Sequence, residues 1–113
     1  MAAQDDRHPE LREAVRALCR TYPDAYFRAV DARRGYPDEF VAALTRAGWL
    51  AAMIPAEYGG PGLGLTEASV IMEEINRCGG NAGACHGQMY NMGTLLRHGS
   101  DAQKRRYLPP IAA

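Results

Sequence analysis

Hydrophobic residues recur along almost the whole chain with the three- and four-residue spacing of amphipathic helices. The first predicted helix begins at Pro9, because proline suits the first helical turn, and Pro23 interrupts its pattern. A second, shorter helix is predicted over residues 24–33. The third opens at Pro37 and stops at Gly48, a residue typical of helix ends. The pattern therefore predicts three short helices in the first half of the chain.

Three further helices are predicted in the second half. Thr66 is a suitable N-cap for the fourth helix, and the pair Gly79-Gly80 ends it. Asn81 caps the fifth helix, which terminates at Gly99. These signals place two consecutive helices on either side of a glycine-rich turn.

The sixth helix has the most specific start signal. Ser100 is followed three residues later by Gln103, which is the pattern of a capping box, and Pro109-Pro110 is expected to halt the helix. The predicted fold class is all-α, a bundle or array of five or six short helices. Residues 9–113 form this domain in the prediction, and residues 1–8 form a disordered N-terminus.

Charge and hydropathy exclude several classes of partner. Thirteen Lys and Arg residues balance thirteen Asp and Glu residues among 113, and the basic residues are spread along the chain. The sequence thus lacks the positive patch that nucleic acid or an anionic membrane surface attracts. It has no apolar run of membrane-spanning length and no signal-peptide pattern at its start. We therefore expect a cytoplasmic protein with neither nucleic acid nor membrane as partner.

The cysteine pattern indicates free thiols. Cys19, Cys78 and Cys85 make an odd count, which argues against a disulfide framework. The spacing C-x6-C-H at Cys78, Cys85 and His86 lacks the closely paired ligands of a structural zinc site. No metal ligand is predicted.

The glycine-rich stretch "IPAEYGGPGLGL", residues 54–65, superficially resembles a phosphate-binding loop. A dinucleotide-binding loop would follow a strand and a P-loop would continue with lysine, whereas this stretch lies between helical patterns and continues with Leu65-Thr66. We therefore predict a compact turn whose glycines allow positive φ, with Tyr58 and Leu63 as apolar anchors.

Three glycines inside the fifth predicted helix are unusual. Gly83, Gly87 and Gly93 cost roughly 2–3 kcal/mol of helix propensity relative to alanine. Two explanations are open: a neighbouring helix that packs closely against them, or a ligand chain that lies along the helix surface.

Two segments resemble acyl-CoA dehydrogenases. "YPDEFVAALTRAGWLAAMIPAEYGGPGLG", residues 36–64, is similar to the part of that family where a helix ends in glycine, an apolar stretch leads to proline, and an acidic-Tyr-Gly-Gly turn follows. "GSDAQKRRYLPPIAA", residues 99–113, is similar to a later capped helix of the family with Gln-Lys and Tyr-Leu-Pro. The resemblance covers the chain from about Leu11 onward and points to the family's N-terminal helical domain.

The resemblance implies a reaction for which this chain supplies only part of the required protein. The family oxidises an acyl-CoA thioester to the 2,3-enoyl thioester, with a carboxylate base taking the α-proton and FAD accepting the hydride. Its central β-domain and C-terminal bundle supply the main flavin site and the base. These 113 residues, which end where the β-domain would begin, are therefore expected to be inactive alone, to retain no FAD and to contain no catalytic residue.

The resemblance also implies candidate substrate contacts. In the family, helices of the first domain wall one side of the acyl pocket, and the fifth predicted helix is the matching element. Met89, Met92 and Leu96 are therefore candidate acyl-lining residues. The same spacing is typical of a stripe that packs into a helical core, and that alternative is open. The direction of Gln88 is not fixed.

A second function from another class is also open. The chain could be a free-standing helical interaction module that retains the fold without activity and associates with itself, with the missing domains or with a full-length relative. Its carboxylates do not distinguish the two functions. We expect a turn position for Glu57, and solvated or capping positions for Glu67, Glu73 and Glu74.

Overall fold

The computed structural model describes residues 7–113, which form six α-helices, two single-turn 3₁₀ helices and no β-strand. The all-α prediction is confirmed. The predicted disordered N-terminus, residues 1–8, lies outside the described residues except for its last two positions. In chain order the elements span Pro9–Arg20 (α1), Asp24–Ala32 (α2), Asp38–Arg46 (α3), Trp49–Ala51 and Ala56–Tyr58 (both 3₁₀), Leu65–Arg77 (α4), Gly83–His98 (α5) and Asp101–Ala112 (α6).

Local capping signals explain where the later helices begin. The Ser100 hydroxyl accepts a hydrogen bond from the Gln103 N–H at 3.1 Å, and the Gln103 amide oxygen accepts one from the Ser100 N–H at 2.9 Å, so the predicted capping box is confirmed. Thr66 is not the N-cap of α4. Gly64 occupies that position. The carboxylate of Glu67, three residues later, accepts a hydrogen bond from the Gly64 N–H at 3.1 Å and so caps the start of the helix.

The prediction that Pro109-Pro110 halts the sixth helix is wrong. Helix α6 continues through both prolines to Ala112, and the Ala113 N–H donates to the Pro109 carbonyl at 3.1 Å. Proline disrupts a helix by removing a donor and by a clash of its ring with the preceding turn. Near the C-terminal end of α6 few hydrogen bonds remain to be lost, and both rings lie exposed.

The hydrophobic core lies where α1, α3, α4, α5 and α6 meet the two 3₁₀ helices. Phe40 is fully buried there, and its ring contacts Tyr22 and Phe27 edge to face at centroid distances of 5.4 and 5.1 Å. The other fully buried side chains come from all five of these α-helices and from the segment between the two 3₁₀ helices. The largest are Leu44, Ile54, Ile71, Ile75, Met92 and Leu108.

The glycine-rich stretch forms the compact turn that its sequence predicts. Gly59 and Gly62 have positive φ values of 90° and 70°, and the Gly62 N–H donates to the Ile54 carbonyl at 2.8 Å. Tyr58 and Leu63 are half-buried and pack against the core. None of the helices in residues 7–113 is long and apolar enough to cross a membrane.

Candidate functional site

An open groove runs between α4 and α5, which make much less contact with each other than α1 makes with α4. The cavity volume is about 480 Å³, within the range of small-molecule sites. We call it the α4–α5 groove. It is lined by Met53, Leu65, Met72, His86, Met89, Tyr90, Gly93, Thr94, Arg97 and His98.

Of the three glycines in α5, Gly93 lines this groove, and Gly83 and Gly87 lie outside its lining. A Cβ atom built at Gly93 would lie 4.0 Å from the Met53 methyl carbon, and one built at Gly87 would meet nothing within 4 Å. At Gly83 the nearest atom is the Asn81 side-chain oxygen, which accepts a hydrogen bond from the Gly83 N–H. Of the two explanations left open by the sequence, close packing of a neighbouring helix against these glycines does not hold for residues 7–113.

Large apolar side chains on the groove face solvent. Leu65 is 75% exposed and Tyr90 is 57% exposed, although leucine usually buries most of its surface. Met53 and Met72 are half-buried beside them. These four residues give the groove a mainly apolar lining, the kind of surface that marks a ligand groove or a contact with another protein segment.

The polar groups of the groove lie mainly along α5. The Thr94 hydroxyl donates to the Tyr90 carbonyl at 2.7 Å, so its hydrogen is used within the helix. The His86 ring packs edge to face on Tyr90 at 5.2 Å between centroids. Arg97 and His98 are the basic residues in the last turn of α5, and the described lining includes no carboxylate. The groove therefore offers an apolar surface with basic residues at one end. Its described lining has no carboxylate that could act as a catalytic base.

The three predicted acyl-lining residues take different positions. Met89 lines the groove and is 4% exposed. Met92 is fully buried in the core, and Leu96 is half-buried against that core, so neither of them lines the groove. Gln88 is half-buried outside the groove lining. Whether any of the three contacts an acyl chain stays a prediction.

Sequence reasoning missed most of the groove. Tyr90 sits one position away from the apolar stripe of α5, so periodicity assigns it to the solvent face. Leu65 precedes Thr66, the predicted start of the fourth helix, so the sequence assigns it to the glycine-rich turn. Met53 comes from the segment after the first 3₁₀ helix, which has no periodicity to read. Two signals pointed to it: the helical glycines, since Gly93 lines the groove, and the family resemblance that made Met89 a candidate.

Glu74 is not the solvated charge that the sequence suggests. Its side chain is fully buried between α1 and α4, where one carboxylate oxygen accepts a hydrogen bond from Arg12 at 2.8 Å. The Arg16 guanidinium donates to both oxygens, at 2.7 and 2.9 Å. We call this set the Arg12–Glu74–Arg16 cluster. Hydrogen bonds from Arg16, and then from Arg12, hold the pKa of Glu74 below its ordinary value despite the opposing effect of burial.

The three other carboxylates whose positions were predicted from the sequence lie outside the groove lining. Glu67 caps α4 as expected, and Glu57 is exposed in the glycine-rich turn. Glu73 is largely exposed and reaches Arg12 at 3.4 Å. Within residues 7–113 no three His, Cys, Asp or Glu side chains cluster closely enough to hold a metal ion.

A second cavity of about 780 Å³ lies where α2 faces the turn between α4 and α5. It shares Met72 and His86 with the α4–α5 groove but has a more polar lining that includes Asp31, Asn76 and Asn81. His86 thus stands at the boundary between an apolar groove and a polar cavity.

Comparisons with known proteins agree on one family. The family model described as "Acyl-CoA dehydrogenase, N-terminal domain" matches residues 5–113. The chain is 36% identical over 110 residues to the probable acyl-CoA dehydrogenase fadE25 of Mycobacterium leprae, covering 96% of this chain and 28% of that protein. It is 33% identical over 114 residues to the mitochondrial isovaleryl-CoA dehydrogenase of Oryza sativa subsp. japonica, covering 95% of this chain and 27% of that protein.

The chain therefore spans little more than a quarter of the length of these relatives. The same holds for the acyl-CoA dehydrogenase fadE12 of Mycobacterium tuberculosis, which is 31% identical over 110 residues and of which the chain covers 28%. No solved structure matches the chain significantly.

Proposed function

Because the chain belongs to the acyl-CoA dehydrogenase family, whose N-terminal domain it spans, we propose that its α4–α5 groove binds the acyl chain of an acyl-CoA thioester. The observation that carries this proposal is the open apolar lining, with Leu65 at 75% and Tyr90 at 57% exposure. A hydrocarbon chain on this surface would remove both side chains from water, which is favourable in proportion to the apolar area buried.

The side chains of the groove suit a hydrocarbon ligand. Methionine adapts to irregular apolar shapes, and Met53, Met72 and Met89 all line the groove. Gly93 leaves space that a larger residue would fill. Met92 and Leu96 lie behind this surface in or against the core, so we propose that they hold Met89 and α5 in place.

The remaining parts of the family reaction are proposed to come from other segments. FAD supplies the hydride acceptor in that chemistry. The glycine-rich turn does not fit its diphosphate, because the inner side of the turn is filled by the chain itself: a Cβ at Gly60 would overlap the Ile54 carbonyl. With no carboxylate in the described groove lining, we propose that residues 7–113 bind substrate without catalysing its oxidation.

Calorimetric titration of the 113-residue chain with octanoyl-CoA, butanoyl-CoA and free CoA tests the proposal. We expect affinity to rise with acyl length, and octanoyl-CoA to bind at least about tenfold more tightly than free CoA, because each buried methylene adds favourable transfer energy. Equal affinity for octanoyl-CoA and free CoA would contradict acyl binding. The purified chain should carry no flavin absorbance, and stoichiometric flavin would contradict the division of roles.

A matched pair of substitutions locates the binding site. Gly93→Leu places a side chain in the groove, whereas Gly87→Leu places the same side chain on the same helix outside the groove lining. Gly93→Leu should weaken octanoyl-CoA binding at least about tenfold, the equivalent of 1.4 kcal/mol. Gly87→Leu should bind like the unsubstituted chain, and equal binding by both variants would place the ligand elsewhere.

The same exposed side chains favour a second function, that of an interaction module. We propose that, without a ligand or a further domain, Leu65 and Tyr90 drive self-association. Sedimentation velocity at increasing concentration should then show oligomers that Leu65→Ser weakens. A concentration-independent monomer would count against the module. The cytoplasmic location expected from the sequence stays a prediction.

A further inference from the structure

Two of the three cysteines lie together outside the groove. Cys19 is in the last turn of α1, and Cys78 is the C-cap residue of α4. The order of contacts indicates that the two helices run in the same direction: Arg12 and Arg16 of α1 pair with Glu74 of α4, and Cys19 and Cys78 follow these residues in their respective helices. Both side chains line one cavity beside the C-terminal ends of these helices. The fold thus brings together two sulfur atoms from positions about 60 residues apart.

The pair can be reached from solvent. Cys78 is half-buried and Cys19 is 4% exposed, and both line a cavity of about 410 Å³ beside Pro23 and Asp24. A cavity of this size admits a small oxidant as readily as water. Cys85 differs, because it is fully buried in the hydrophobic core.

We propose that Cys19 and Cys78 are a reversible redox pair, in which hydrogen peroxide oxidises the two thiols to a disulfide that links the C-terminal ends of α1 and α4. Cytosolic disulfides in mesophilic proteins are usually catalytic or redox-sensing, so free thiols in the reduced chain are consistent with this role.

The chemistry proceeds in two balanced steps. The Cys78 sulfur, which is the more exposed, attacks one oxygen of hydrogen peroxide, the O–O bond breaks, and Cys78 becomes a sulfenic acid with release of one water. The Cys19 sulfur then attacks the sulfenic sulfur, and the hydroxyl leaves with the Cys19 proton as a second water. Two thiols and one peroxide give one disulfide and two waters.

The surroundings give the two sulfurs different roles. Burial, followed by the electrostatic effect of Cys78, raises the pKa of Cys19 to about 12, so its thiolate is scarce at neutral pH and Cys78 rather than Cys19 takes the first step. The charged groups that act on the pair are Arg16, which interacts with Cys78, and Glu74, which interacts with Cys19. These two are paired with each other at 2.7 Å.

The disulfide would link the C-terminal ends of α1 and α4 covalently. Closing a loop of about 60 residues restricts the unfolded chain strongly. We expect oxidation to raise the melting temperature by roughly 10 °C or more, and a reducing thiol such as dithiothreitol to reverse the rise.

Peptide mapping by mass spectrometry tests the proposal directly. The folded 113-residue chain is treated with hydrogen peroxide, free thiols are alkylated, and the chain is digested without reduction. We expect a linked Cys19–Cys78 peptide two hydrogen masses lighter than its parts, with Cys85 still alkylated. Cys85→Ala should form the same link, and Cys78→Ala should form none and show no rise in melting temperature.

Two results would overturn the proposal, and both can be read from the unsubstituted chain. One is oxidation of Cys78 to a sulfinic acid while Cys19 remains free for alkylation. The other is a link only between Cys78 residues of two chains, visible as a covalent dimer. Either would show that the two thiols do not react with each other in the folded protein.

Discussion

The two sides of α4 differ in how completely they are covered. On one side, α1 packs along the helix and encloses the Arg12–Glu74–Arg16 cluster, and within residues 7–113 every buried side-chain polar atom has a partner. On the other side, α5 leaves the α4–α5 groove open, with Leu65 75% exposed. One helix thus joins a closed, charged interface to an open, apolar one.

This difference separates stability from binding. A buried carboxylate is tolerated only where charged donors satisfy it, so the α1 side of α4 has one specific arrangement. An exposed apolar side chain costs the fold little but is available to a ligand. We therefore expect substitutions on the α1 side to change mainly the free energy of unfolding, and substitutions in the groove to change mainly binding.

The largest expected effect is the loss of Glu74. Glu74→Ala leaves the guanidinium of Arg12, which is 4% exposed, without its main partner. We expect the free energy of unfolding to fall by about 3–5 kcal/mol, a large part of the stability of a small domain. Urea denaturation followed by circular dichroism measures it.

An exposed ion pair within α1 is the control. Arg20 and Glu13 pair at 2.6 Å, but their side chains are 63% and 59% exposed. Arg20→Ala should cost less than about 1 kcal/mol. A cost equal to that of Glu74→Ala would show that burial does not distinguish the two pairs.

The next largest effect is a difference in stability between substitutions at two adjacent residues of α4. Ile71 is fully buried, and its neighbour Met72 is half-buried on the groove. Ile71→Ala should lower the free energy of unfolding by about 2–5 kcal/mol, because it leaves a cavity. Met72→Ala should cost about 1 kcal/mol. Equal losses would mean that the groove side is as tightly packed as the core.

Acid should weaken the closed side selectively. Hydrogen bonds from Arg16 and Arg12 lower the pKa of Glu74 from its ordinary value of 4.5. A group with a lowered pKa in the folded state stabilises the fold above its unfolded pKa, and that contribution is lost as the pH falls through the folded value. The melting temperature should therefore drop below about pH 4.5 more steeply for the unsubstituted chain than for Glu74→Gln.

The smallest expected effect is a gain. Gly87→Ala adds a methyl group that meets nothing within 4 Å in the interior of α5, so the helix should become more stable by about 0.5–1 kcal/mol. Gly80→Ala is the contrast, because its Cβ would lie 3.1 Å from the Ile75 carbonyl oxygen and 3.3 Å from the Phe40 ring. Thermal denaturation should show a rise for the first and a fall for the second.

Short-range signals predicted most of the fold. The capping box at Ser100 and the glycine turn at Gly59 depend on residues within a few positions, and both were identified correctly. The end of α6 was not, because the rule that proline stops a helix weakens in the last turn. Burial of Glu74 could not be predicted, because its partners lie 58 and 62 positions away.

The groove was predicted less well for a similar reason. Spacing shows which residues of α5 share a face, but not whether that face meets the core or a ligand. Met89 and Met92 belong to one stripe, yet the structure puts Met89 at the groove and Met92 inside the core. Which residues of α5 line the groove and which lie in the core depends on how α5 is placed against α4. The sequence of either helix alone does not determine that placement.

The separation of 62 residues between Arg12 and Glu74 also bears on the order in which the chain folds during synthesis. At about 5–20 residues per second, a ribosome delivers Glu74 roughly 3–12 s after Arg12. During that interval α1, with 12 residues, is too short to be stable alone in water. We therefore expect α1, although it is synthesised before α4, to become fixed only when α4 emerges and Glu74 pairs with Arg12 and Arg16.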